Sequence, residues 1–257
     1  MDLPKRTKQL ISNCILEMQQ NSNKFPLPVC RYLIYKSFGL SRLYQPTVYD
    51  RLDHFPLDKS GVKKVELIKQ DLANLTKADY TLCWLAILTT QKVLPLWKRD
   101  FIGDFSPQEV IERVQNVLFS AGDIEELIQL HDILGHGIPG AFSTFESHLV
   151  EMAAYDILEF ALYPGRASYG EKKGMKQQSS SEQKEYVFYG SDFASSAARA
   201  YCVEDSSEPG EWYDYLATKT PKIKFDPNKR LEFWEWWLNE AIPQAWELAN
   251  NTLKDTE

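Results

Sequence analysis

Long apolar runs, paired cysteines and strand alternation are all missing from this 257-residue chain. No stretch stays apolar for the roughly 20 residues that a membrane helix needs, so a membrane is not an expected partner. The opening "MDLPKRTKQLISNCILEMQQ" is amphipathic and charged throughout, which is not the pattern of a secretory signal. Four cysteines, Cys14, Cys30, Cys83 and Cys202, have no metal-binding or redox spacing. They read as reduced, buried small hydrophobes of a cytoplasmic protein. There is no P-loop, no GxSxG nucleophile elbow and no HExxH zinc motif. No cofactor is expected, and the absence of recognisable chemistry points toward a protein that works by binding.

A basic excess is missing too. The net charge is −7, and it is unevenly spread. Residues 1–50 carry seven Lys and Arg against three Asp and Glu, whereas residues 201–257 carry six against twelve. An acidic surface argues against nucleic acid as a ligand and suits a basic partner, although acidity also serves plain solubility.

What is present is helical periodicity. "KQLISNCILEMQQ" reads as a first helix and "PVCRYLIYKSFGL" as a second, opened by Pro28 and stopped near Gly39. "VKKVELIKQDLANL" and "KADYTLCWLAILTTQKVLPLW" follow, with Pro95 ending or kinking the latter. "SPQEVIERVQNVLFSAG" carries a full set of punctuation: Ser106 as cap, Pro107 at the first helical position, Glu109 completing a capping box and Gly122 closing the end. "DIEELIQLHDILGHG" is helical, residues 140–163 form a helix with one apolar face, and "SDFASSAARAYCVED" returns to helix. Between the last two, residues near 165–190 are rich in Gly, Ser, Lys and Gln and read as a long mobile loop. The expected fold is all-α, a multi-helix single domain over residues 1–257.

The closing segment "KRLEFWEWWLNEAIPQAWE" puts three tryptophans within four residues. At about 100° per residue, Leu231, Trp234, Trp237, Leu238, Ala241, Ile242, Ala245 and Leu248 share one stripe, so Trp234 and Trp237 belong to the core. Trp236 projects the other way, among Glu232, Glu235, Asn239 and Glu240. Either a neighbouring loop covers that ring, or it is a contact point for a partner, where tryptophan is enriched. Pro243 kinks the helix or starts a second one.

Two other sets of residues invite chemistry. In "HDILGHG", adjacent His131 and Asp132, with His136, resemble the metal-binding pair of HD phosphohydrolases. That reading needs an upstream histidine, and only His54, in a proline-rich loop, is available. The alternative is an Asp–His pair at a helix end. Glu146 and Asp156 lie on or beside the apolar stripe of helix 140–163, where a carboxylate is costly unless paired. They are catalytic acids, or partners of a backbone group or of Arg199 or Arg113.

Two separated stretches, "LAILTTQKVLPLWKRDF…SPQEVIERVQNVLFSAGDI" and "RLEFWEWWLNEAIPQAW", resemble bacterial polymorphic-toxin immunity proteins, in particular the all-α family numbered five among them. His136 flanked by glycines and "SSAARAY" fit the same pattern. The likeness covers roughly residues 80–250 and leaves the first 75 outside it, so the single domain divides into N-terminal helices over 1–75 and an immunity-like helical core over 76–252. It implies a cytoplasmic protein, encoded beside a toxin, that neutralises the toxin by direct association. Combined with the acidic C-terminal region, it makes a basic toxin the expected partner and Glu232, Glu235, Trp236, Asn239 and Glu240 the expected contacts. An HD-type metal hydrolase using His131, Asp132 and His136, and a helical scaffold or regulatory adaptor, are the alternatives.

Overall fold

Short polar side chains and prolines fix where the helices begin. The computed structural model describes residues 2–20, 28–39, 66, 68–70, 72–97, 106–120, 122–135, 144–162, 193–204 and 224–255. Among them the one extended pairing is an isolated antiparallel bridge between Val203 and Phe225. The helices are α1 (Lys5–Gln20), α2 (Pro28–Ser37), α3 (Lys77–Val93), α4 (Pro107–Phe119), α5 (Ile124–Gly135), α6 (Phe145–Leu162), α7 (Phe193–Cys202), α8 (Pro227–Trp236) and α9 (Ile242–Asp255). The fold is all-α. The expected loop at 165–190 lies outside the described residues, as do His54, His136 and Phe142.

The punctuation of α4 is used as written. Ser106 accepts the Gln108 N–H at 3.2 Å, and the Glu109 carboxylate accepts the Ser106 N–H at 3.2 Å. Gly122 returns its N–H to the Asn116 carbonyl at 2.9 Å, and a Cβ there would sit 2.9 Å from that carbonyl carbon. Thr76 and Asp79 form the same box at the start of α3, and Pro95 lies in the 3₁₀ turn Leu94–Leu96 that ends it. Gly39 leaves α2 at φ 102°, a conformation that favours glycine. Thr144 caps α6, which starts at Phe145, by accepting the Ser147 N–H; residues 140–143 of the expected helix lie outside the described residues.

Helix α6 lies at the centre, against α3, α4, α5 and α7. Neighbours on several sides bury it almost all round, at Leu149, Val150, Ala153, Ala154, Ile157 and Leu158 among others. The single stripe read from the sequence was too narrow. Alanines 194, 197, 198 and 200 of α7 are buried where that helix approaches α6 and α3. The two N-terminal helices join the same core: Tyr35 stacks on Phe193 at 6.1 Å and Phe38 meets Trp246 at 6.1 Å.

Trp234 and Trp237 are buried as expected, and the indole N–H of Trp237 donates to Thr89 Oγ1 at 3.1 Å. The projected stripe fails further on. Trp246 and Ala249 are buried, while Leu248 is only half-buried. The cause is a π turn, Trp237–Ala241, in which the Ile242 N–H bonds the Trp237 carbonyl five residues back. Pro243 lacks the N–H that an α ladder would aim at the Asn239 carbonyl, and its ring would collide with that carbonyl. The wider turn relieves both problems, absorbs one extra residue, and advances the buried face of α9 by one position.

Among the described residues no helix is long and apolar enough to cross a membrane. Cys14, Cys83 and Cys202 are buried and free, whereas Cys30 is only half-buried. Burial pushes the Cys83 and Cys202 thiols up to about 12, so neither is a nucleophile near neutral pH.

Candidate partner-binding face

Helix α8 is pinned at its start before it presents any side chain. Asp226 accepts the Asn228 N–H at 2.7 Å and the Lys229 N–H at 3.3 Å, with Pro227 at the first helical position. The Asp226 N–H itself donates to the Cys202 carbonyl at 2.7 Å, tying α8 to the end of α7. From this base Glu232, Asn239 and Glu240 are exposed, and Glu235 is half-buried. Trp236 is half-buried as well. It leans on the buried ring of Phe233, with centroids 5.6 Å apart.

Two residues that the sequence reading passed over complete this face. Tyr201, at the end of α7, also packs on Phe233, at 5.8 Å, and its hydroxyl donates to Glu232 Oε1 at 2.5 Å. That bond, then burial and the Glu232 charge, push the phenol up to about 12. Lys92, in the last turn of α3, places Nζ 5.0 Å from the Trp236 ring centroid and 5.6 Å from that of Tyr201. No local pattern links these residues, because α3, α7 and α8 are brought together only by packing.

The histidine region has a different geometry. His131 on α5 is buried; its Nε2 lies 2.8 Å from Glu159 Oε1 and 3.1 Å from the Tyr155 hydroxyl, both on α6. Its Nδ1 is 3.6 Å from Asp132 Oδ1. His131 is thus engaged in a cross-helix contact between α5 and α6. Among the described residues no three His, Cys, Asp or Glu side chains converge to hold a metal ion. His136, the third ligand of the hydrolase alternative, is outside them. Residues 135–140 spell G-x-G-x-x-G, but α5 precedes them where a dinucleotide fingerprint needs a strand.

On α6, Glu146 and Asp156 are half-buried, and Glu146 Oε2 has no hydrogen-bond partner among the described residues. Nearby on that helix Glu151 accepts the Trp97 indole N–H at 3.1 Å. Burial, and then the Arg199 charge, lower the His148 pKa to about 4.

No curated protein matches the chain. A family-level match does exist, to a family described as immunity protein Imm5, and it runs over residues 76–244. That span takes in α3 through the π turn, and with them Lys92, Tyr201, Glu232 and Trp236. With well over half of its residues matched, the chain belongs to the Imm5 family of immunity proteins.

Proposed function

We propose that this protein is a cytoplasmic immunity factor that neutralises a cognate bacterial toxin by binding it directly. The family match over residues 76–244 carries this reading. The contact surface is the face of α8 and the following π turn that bears Glu232, Glu235, Trp236, Asn239 and Glu240. Support for that choice is physical. A half-buried tryptophan held on Phe233 is preorganised, so little side-chain freedom is lost on docking. Large aromatic rings near the middle of an interface contribute most of its binding energy. The surrounding carboxylates favour a basic partner and set its orientation during encounter.

The test uses the toxin domain encoded beside this gene. Co-expression should protect cells from that domain, and the purified proteins should co-elute as a stoichiometric complex. Trp236→Ala should weaken the complex about 30-fold, the loss of about 2 kcal/mol seen for hot-spot truncations. Absence of both complex and protection would return the chain to the adaptor reading.

A further inference from the structure

Lys92, Tyr201, Trp236 and Glu232 come from three helices and meet at one point of the surface. The ammonium of Lys92 lies over two aromatic faces, 5.0 Å from Trp236 and 5.6 Å from Tyr201. Both rings rest on Phe233, and the Tyr201 hydroxyl fixes the exposed Glu232 carboxylate beside them. Two π faces and a carboxylate form a receptor for a cation, and the chain's own lysine occupies it. The attraction between an ammonium and aromatic rings at such a partly exposed place is weak. Lysine is also a strongly hydrated point charge on a flexible stem. A planar guanidinium would do better there, stacking flat on the indole while its N–H fork meets the Glu232 carboxylate.

We infer that Trp236, Tyr201 and Glu232 form a receptor for an arginine side chain of the partner, and that Lys92 holds the place until that arginine displaces it. This rests on the proposed toxin-binding reading, since the arginine is the toxin's. Glu235, half-buried one turn beyond Glu232, and Glu240, exposed in the π turn, add to the attraction. Lys92 opposes binding twice, by occupying the rings and by repelling the incoming charge. Its removal should therefore strengthen the complex, an unusual direction for a change inside an interface.

Two measurements on the full-length protein test this. The first follows the Trp236 indole N–H resonance, identified by its loss in Trp236→Phe, during titration with arginine amide and with lysine amide. Arginine amide should move it in the wild type and at about tenfold lower concentration in Lys92→Met, and lysine amide should move it less. The second measures affinity for the toxin domain encoded beside the gene. Lys92→Met should bind about tenfold tighter, and Lys92→Met combined with Trp236→Ala should lose that gain. A Trp236 resonance untouched by arginine amide in either protein would overturn the receptor. Toxin binding that Lys92→Met leaves unchanged would overturn it too, while sparing the toxin-binding reading. If neither protein binds the toxin, that reading fails, and the arginine amide titration decides the receptor alone.

Discussion

Trp234, Trp236 and Trp237 are chemically identical and nearly adjacent, yet their surroundings assign them different work. Trp237 is fully buried and bonded to Thr89, and Trp234 is nearly so, edge-on to Trp237 at 5.5 Å. Urea denaturation should find Trp237→Ala and Trp234→Ala destabilising by about 3–5 kcal/mol, as for large-to-small core changes. Trp236→Ala removes a half-buried ring and should cost about 1 kcal/mol. Equal losses for Trp236 and Trp237 would place the Trp236 ring in the core. His148 has its own signature. Its folded pKa of about 4 lies below the ordinary 6.5, so the unfolded chain takes up the proton first. Stability should therefore be complete above about pH 6.5 and fall as the pH drops toward 4. His148→Gln should flatten that part of a stability-versus-pH curve, and an unchanged slope would remove His148 as its source.

Element boundaries decide how firmly the proposed binding face is held. Asp226 caps α8 with two N–H bonds, and its own N–H clamps the strand-like exit of α7. Asp226→Ala should lower stability by about 0.5–2 kcal/mol, the range for lost caps. Affinity for the toxin domain should also fall, because Glu232 and Trp236 sit in the helix that the cap starts. A variant that melts earlier yet binds as before would separate the cap from the face. The π turn has a parallel role at the other end of α8. It lets Pro243 sit in the first turn of α9 and still returns Ala245, Trp246 and Ala249 to the core.

At the scale of the molecule, charge is the lever. Residues 201–257 carry twelve Asp and Glu against six Lys and Arg, with Glu232 and Glu235 on α8 and Glu240 in the π turn that follows it. If the partner is basic, these carboxylates accelerate encounter more than they tighten the final complex. Reversing all three to lysine should slow association with the toxin domain severalfold at low salt. The difference should shrink near 1 M salt, where the Debye length falls to about 3 Å. A rate insensitive to both the reversal and salt would show that steering plays no part.

Helix punctuation and the all-α class were legible in the sequence because they depend on neighbours within a few residues. Ser106, Pro107 and Glu109 carry their capping box in four consecutive positions, and Gly39 supplies a backbone angle of its own. The resemblance to immunity proteins was legible for a related reason, since its two stretches are contiguous patterns. What stayed hidden depended on distance. Lys92 and Tyr201 reach Trp236 only after α3 and α7 have packed, and His131 finds Glu159 and Tyr155 only across the α5–α6 contact. The projection also kept one α period through Pro243, so the π turn shifted Leu248 off the stripe and brought Trp246 in. Short-range backbone and capping energies are encoded residue by residue. The pairing of side chains from different helices is settled only when the whole core closes around α6, because only then are their distances fixed.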